Sequence, residues 1–354
     1  MKNKEKNKNI KYIRDGMLFI FLVLLTFYIL LKDQDMSELF KILQTAKLQF
    51  VFLGILCMFI YFLSESINLR RTLNELGENV TIFNTLKYSL IGFFFSSITP
   101  AATGGQPMQV YAMHKDGIKV SKSSLGLVMN LFTFQVVTLS AAMISLVFFH
   151  SYMEIGLILF FILGVTINSV GLVLLTIGIF SKKLSTWLVK NAIKIMGKFK
   201  VKNIEDKEKA LNDILDSYNG SAEYIRNNKK ILIKQFTTTI IQEIAYYSVP
   251  FCVFKAFGLE GHSYIKIICL QAIVYATVSG IPSPGSVGVS EGAFVSIFKT
   301  VFGEKLIKSA MLLNRGINFY LFVLVCGIIV VINTFTLNKS ENIFIDWRKK
   351  CQKN

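Results

Sequence analysis

Six long apolar runs dominate the chain, and each has the length, or nearly the length, needed to cross a bilayer as a helix. A spanning helix needs about 20 predominantly apolar residues. The runs are Gly16–Leu31, Leu48–Leu69, Ser124–Phe149, Glu154–Phe180, Ile231–Phe254 and Ala310–Phe335. They predict an all-α, polytopic membrane bundle with six full spans.

Two further apolar regions, Thr81–Met113 and Tyr264–Phe298, are interrupted by glycine and proline. The first contains SSITPAATGGQP (Ser96–Pro107, the first break), and the second contains SGIPSPGSVGVSEG (Ser279–Gly292, the second break). Proline removes a backbone donor, and broken backbone is tolerated in a membrane only where protein or a cavity surrounds it. A pair of such breaks in the two halves of a chain points to a transport site. The sequence thus predicts about eight membrane segments.

Basic residues predict the orientation, because loops rich in lysine and arginine stay in the cytoplasm. The arm 1–15, the loop 181–230 and the tail 337–354 are lysine-rich, so we expect both termini and this loop to be cytoplasmic. Residues 16–336 then form one transmembrane domain. On this count Thr81–Met113 starts and ends inside, whereas Tyr264–Phe298 starts and ends outside. The two regions are therefore predicted to be re-entrant, or hairpins of two spans, in an inverted-repeat-like arrangement.

Composition changes this interpretation little. The chain has 354 residues, 53% of them hydrophobic, and a net charge of +17. We attribute the charge to cytoplasmic segments that face anionic inner-leaflet lipids rather than to nucleic-acid binding. The segment Trp187–Phe199 predicts an interfacial amphipathic helix, with a plain helical extension as the alternative. The five cysteines have no CxxC spacing, so no metal site or disulfide framework is expected, and no cofactor is indicated.

A carboxylic acid lies near the middle of the fifth apolar run. Glu243 accompanies a polar stripe at helical spacing formed by Gln235, Thr239, Gln242 and Tyr246. Ionisable residues inside spans are costly and are therefore functional candidates. The sequence favours a cavity-facing role, and the alternative is a polar seam that joins neighbouring helices by hydrogen bonds.

A second acidic residue, Glu291, follows the prolines and glycines of the second break, and Arg315 lies near the start of the last run beside Asn314 and Asn318. Glu291 and Arg315 could form an ion pair. Alternatively, Arg315 could receive an anionic lipid headgroup, because its fork of donors suits such a ligand.

The first break carries amides instead of charges. Gly104 and Gly105 precede Gln106 and Gln109. Free backbone N–H groups at the start of a half-helix can bind an anion. We therefore expect this turn to approach the substrate through backbone donors.

The motifs TPAATGGQPMQVY and IPSPGSVGVSEGAF resemble the lysylphosphatidylglycerol synthase transmembrane-region family, also called flippase-like, which is the membrane half of the multiple peptide resistance factors. The matching positions are Pro100, Gly105, Pro282, Pro284, Gly285, Gly288, Glu291 and Arg315. Two positions depart from the family pattern. Gln106 stands where many members have glutamate, and Ser286 replaces a glycine. The lost charge weakens the case for a proton or cation site in the first motif.

The resemblance implies a lipid translocase of the bacterial plasma membrane that moves a headgroup-modified phospholipid, such as lysylphosphatidylglycerol, between leaflets. The implied partners are the phospholipid itself and either further copies of the chain or a separate synthase. The alternatives are a phosphatidylglycerol lysyltransferase-type enzyme or its membrane subunit, and a translocase of a polyprenyl-linked glycan. The enzyme is disfavoured because the chain ends about twenty residues after its last predicted helix, without a soluble transferase domain. The predicted substrate-binding residues are Gly104, Gly105, Gln106, Gln109, Gln242, Glu243, Tyr246, Pro284, Gly285, Gly288, Glu291, Asn314 and Arg315, with no catalytic residue.

Overall fold

The computed structural model describes residues 41–332, apart from 43, 100–101, 154, 280, 282–283 and most of 182–226. The predicted first span Gly16–Leu31, both charged termini and nearly all of the segment 187–199 lie outside the described residues. Every regular element within the described part is a helix. The prediction of an all-α fold is therefore confirmed.

Nine α-helices form the described bundle. They are α1 (Leu48–Glu75), α2 (Ile82–Ile98), α3 (Gly105–Lys115), α4 (Val120–Phe149), α5 (Ile155–Phe180), α6 (Lys229–Tyr247), α7 (Val249–Ala256), α8 (Tyr264–Val278) and α9 (Val289–Arg315). Short 3₁₀ turns occupy His150–Tyr152 and Pro284–Ser286. A π-helical turn, Gly316–Tyr320, follows α9, and the helix then continues to Ile332.

Four of the described helices are long and apolar enough to cross a membrane. They are Leu48–Glu75, Val120–Tyr152, Gly156–Phe180 and Val289–Ile332. The protein is therefore a multi-pass membrane protein. The predicted span Ile231–Phe254 is divided at Ser248 into α6 and α7, where Pro250 lies in the first turn of α7 and has no N–H to continue the helical ladder.

Helix α1 is the centre of the bundle and packs against α2, α4, α6 and α7. Its side chains Met58, Phe62, Leu69 and Leu73 are fully buried. Helix α5 is the opposite case, because it exposes many large apolar side chains along its length. An apolar face of this kind is suited to contact lipid tails.

Both predicted breaks interrupt helices. The first separates α2 from α3, which pack against each other, and the second separates α8 from α9. Helices α2, α3 and α8 contain 17, 11 and 15 residues. At a rise of about 1.5 Å per residue, each is shorter than the roughly 30 Å hydrocarbon core.

The end of the second broken region differs from the prediction. Helix α9 continues past Phe298 and bends at Gly303, where φ is 72° and ψ is 162°. A glycine without a Cβ adopts this left-handed conformation readily. Helix α9 therefore extends beyond the predicted end of this region, and the kink at Gly303 separates its first part from the part that leads into the last predicted run.

Candidate functional site

The second break is tied to the last span by a buried ion pair. The Nε–H of Arg315 donates to Oε1 of Glu291 at 2.8 Å, and an Nη2–H donates to the carbonyl oxygen of Gly285 at 3.0 Å. Both charged side chains are buried. Of the two roles considered for Arg315, the ion pair is the one present in this structure.

The two carboxylate oxygens of Glu291 have different partners. Oε2 accepts the backbone N–H of Gly288 and the hydroxyl of Ser290, the latter at 3.3 Å. Glu291 thus caps the N-terminus of α9 from the third helical position. Oε1 accepts from Arg315 and, at 3.4 Å, from the hydroxyl of Tyr320. Oε2 therefore binds groups of the second break and the start of α9, while Oε1 contacts residues at the end of α9 and in the π-helical turn.

Aromatic rings complete the surroundings of the guanidinium group. The Arg315 guanidinium carbon lies 4.1 Å from the centre of the Phe319 ring and 5.7 Å from that of Tyr320. These rings lie in the π-helical turn, a deformation that is frequent at functional sites. A Cβ on Gly285 would lie 2.3 Å from Cζ of Phe319. Glycine at 285 therefore leaves the ring in position beneath the arginine.

A small cavity of about 20 Å³ adjoins this ion pair between α6, α8 and α9, and Tyr246, Ser290 and Arg315 are part of its lining. Such a volume holds about one water molecule. Three buried amide side chains also line it, and their oxygens have no hydrogen-bond partner: Gln271, Asn314 and Asn318. The structure thus brings together three of the predicted site residues, Tyr246, Asn314 and Arg315. It adds Gln271, whose only sequence signal is a polar residue within an apolar run.

Glu243 lies in a hydrogen-bonded seam between helices. The hydroxyls of Thr138 and Tyr247 donate to its two oxygens, and only 2% of the residue is exposed. One turn earlier on α6, the hydroxyl of Thr239 accepts a hydrogen bond from the Nδ2–H of Asn68 in α1 at 3.0 Å. Two turns earlier, the Nε2–H of Gln235 donates to the hydroxyl of Thr72 in α1.

These contacts favour the seam alternative for Gln235, Thr239 and Glu243, whereas Tyr246 faces the cavity. Gln242 is buried.

The first break also meets a carboxyl group, Glu65 of α1, which the sequence reasoning missed. The Nε2–H of Gln109 donates to Oε1 of Glu65 at 3.2 Å. Gly92 makes room for this contact, because a Cβ there would lie 2.4 Å from Cδ of Gln109. The signal was available, since Glu65 is a carboxylic acid within the run Leu48–Leu69 and the rule that selected Glu243 applies to it equally.

The expectation of a free backbone donor at Gly104 is wrong. Its N–H donates to Oγ1 of Thr99 at 2.9 Å, so the turn satisfies its own donor. Gly105 has a packing role instead, because a Cβ there would lie 2.0 Å from Oγ of Ser96. Gln106 is half-buried next to it.

In the second break too, a backbone donor is satisfied by a side chain of the same segment. The N–H of Gly288 is bonded to Glu291, and Pro284 begins the 3₁₀ turn Pro284–Ser286. Within the described residues, no group of three or more His, Cys, Asp or Glu side chains could hold a metal ion.

Comparison with known proteins identifies a matching family and a similar protein. A family model described as the lysylphosphatidylglycerol synthase TM region matches residues 16–326. The chain belongs to this family. It is also 19% identical over 282 residues to a UPF0104 membrane protein of Archaeoglobus fulgidus, an alignment that covers 76% of this chain and 82% of that protein. The resemblance inferred from the two broken motifs is therefore confirmed.

The match to the lysylphosphatidylglycerol synthase TM region includes every group described above. It spans both breaks, the carboxyl groups Glu65, Glu243 and Glu291, and Arg315 in the last span. The buried polar contacts therefore belong to the family domain itself, and a lipid-related role in the membrane is consistent with this membership.

Proposed function

We propose that the protein moves a headgroup-modified phospholipid, such as lysylphosphatidylglycerol, between the leaflets of a bacterial plasma membrane. The observation that carries the proposal is the presence of buried or partly buried charged and amide groups beside both helix breaks. Gln109 contacts Glu65 at the first break, and Glu291 contacts Arg315 at the second. Polar groups and broken helices are costly in hydrocarbon, and they are typical of substrate paths through transporters.

The helix lengths support a re-entrant topology for both broken regions. The α2–α3 pair would enter from the cytoplasm, turn at the first break and return. The α8–α9 pair would enter from the outside and return there at Gly303. The two turns would then lie at similar depths within the membrane, and a lipid headgroup could pass from one turn to the other.

Cysteine labelling in intact cells tests this topology. We expect Thr103→Cys, in the turn of the first break, to be protected from a membrane-impermeant maleimide added outside, because the turn would not reach the outer surface. Lys305→Cys should be labelled from outside, and Lys115→Cys only after permeabilisation, and these two serve as controls. All three positions are exposed in the structure. External labelling of Thr103→Cys would contradict a re-entrant α2–α3 pair that enters from the cytoplasm.

Reconstitution tests the proposed activity. Purified protein in liposomes should transfer fluorescent lysylphosphatidylglycerol between leaflets, measured as the fraction that an impermeant reductant can bleach over time. Gln109→Leu should bring the rate close to that of protein-free liposomes, because it removes the polar partner of Glu65. Val170→Ala, on the exposed face of α5, is the matched control and should behave like the wild type.

Two outcomes would contradict the proposal. One is a transfer rate that equals the protein-free rate for every headgroup tested. The other is new aminoacyl-phosphatidylglycerol in lipid extracts of cells that express this chain alone, which would favour the lysyltransferase alternative.

A further inference from the structure

We propose that Arg315 binds the phosphate group of the transported lipid, and that Oε1 of Glu291 occupies the same place when no lipid is bound. This inference rests on the proposed function, because it assigns the part of the substrate that one side chain would recognise. The bound and unbound states would then differ by the exchange of one anionic partner for another.

The donor edge of Arg315 has the geometry for such an exchange. Nε–H and Nη2–H lie on one edge of the guanidinium plane, and they now donate to two separate oxygens, those of Glu291 and Gly285. A phosphate offers two oxygens on one atom, and this edge matches them in a bidentate contact. A single phosphate could therefore replace both present acceptors.

Glu291 can release Arg315 without losing its structural role. The cap of α9 depends on Oε2, which accepts from Gly288 and Ser290, whereas the contact with Arg315 depends on Oε1. Loss of the Oε1 contact would leave the start of α9 intact. The hydroxyl of Tyr320 would remain near the freed oxygen as a donor.

The cavity next to Arg315 supplies further groups for a phosphate. Its amides at Gln271, Asn314 and Asn318 are buried, and their oxygens have no partner. Rotation of an amide by about 180° about its last side-chain bond presents its NH₂ group instead of its oxygen. These side chains can therefore donate to an anion, and the arginine at the same site disfavours a cation.

The site is closed in this structure, because about 20 Å³ is too small for a phosphate. The exchange must widen it by moving the second break away from the last span. Gly285 and Gly288 have φ values of 58° and 82°, and the adjoining helix contains a π-helical turn. Glycine adopts several backbone conformations at low steric cost, and π-helical turns are frequent at functional sites.

Binding of short-chain phosphatidylglycerol to the purified protein in an uncharged detergent tests the exchange. Glu291→Gln should tighten binding, because a neutral amide competes with phosphate less well than a carboxylate while glutamine still serves as a cap. Arg315→Lys should weaken binding by about tenfold or more, since lysine offers no planar fork. Glu304→Gln, in the exposed pair with Lys299 on the same helix, is the matched control and should change nothing.

Opposite effects of the two variants are the signature of competition for one site. If the ion pair only holds the fold together, Glu291→Gln would weaken binding or leave it unchanged, and the inference would be overturned. A diacylglycerol with the same acyl chains should not bind. Inorganic phosphate that binds as tightly as the lipid would refute a lipid site. The wild-type transfer rate is measured separately, so the inference can fail while the proposed function stands.

Discussion

Arg315→Met should lower the free energy of unfolding by about 3–5 kcal/mol, because it leaves Glu291 buried without its cation. The two groups are 2.8 Å apart, and their side chains are 8% and 11% exposed, so water replaces little of the lost interaction. Adding Glu291→Gln should restore part of the stability. The second change removes the uncompensated charge, and glutamine keeps the cap at the third position of α9.

A nearby exposed pair provides the comparison. Lys299 and Glu304 are 3.0 Å apart, and their side chains are 52% and 80% exposed. Lys299→Met should cost no more than about 1 kcal/mol, since exposed ion pairs contribute little. The free energy of unfolding of each variant is measured from the loss of helicity during chemical unfolding in detergent. A loss of stability in Arg315→Met no larger than that in Lys299→Met, or a double variant less stable than Arg315→Met alone, would contradict this prediction.

The positions of the two breaks could be predicted because they depend on local backbone chemistry. Helix α2 ends at Ile98 and α3 begins at Gly105, and the sequence places Pro100 between them; α8 ends at Val278 and α9 begins at Val289, and further prolines and glycines lie between these two. Proline and glycine act within one turn of the chain, and no distant contact is needed to interpret them.

The contact between Glu291 and Arg315 could only be posed as one of two alternatives. The residues are 24 positions apart, and they meet because the helix between them bends at Gly303. An isolated glycine in a helical pattern gives no indication of a left-handed φ of 72°. Both partners could therefore be identified from the sequence, but the bend that brings them together could not be predicted.

Glu65 shows a different limit. Its partner Gln109 lies 44 positions away, on a different helix. The broken motifs do not contain Glu65, because the carboxyl group beside the first break comes from α1. The prediction of a free donor at Gly104 is wrong for a related reason, because the hydroxyl of Thr99 accepts the Gly104 N–H across the turn. Which donors a turn satisfies internally depends on side-chain placement that spacing alone does not fix.

The crossing of α5 and α8 should be the most sensitive packing point on the lipid-facing side of the bundle. A Cβ on Gly164 would lie 2.0 Å from the carbonyl oxygen of Ala276 and 3.2 Å from that of Thr277. Backbone atoms cannot rotate away as a side chain can, so the two helices would have to separate. The hydrogen bond between Asn168 Nδ2 and Ser279 Oγ, now 2.6 Å, lies one turn further along and would be weakened with them.

Gly164→Ala should therefore destabilise the protein by about 1–3 kcal/mol, the usual cost of overpacking. Gly171→Ala on the same helix is the matched control, because no atom lies within 4 Å of its Cβ position. That substitution should stabilise α5 by up to about 1 kcal/mol, since alanine is the better helix former. The two changes add the same methyl group to the same helix, so opposite signs in detergent unfolding isolate the contact with α8. Equal effects would mean that α5 and α8 can separate freely, and the second break, which starts at Ser279 directly after α8, would then have no rigid support on this side.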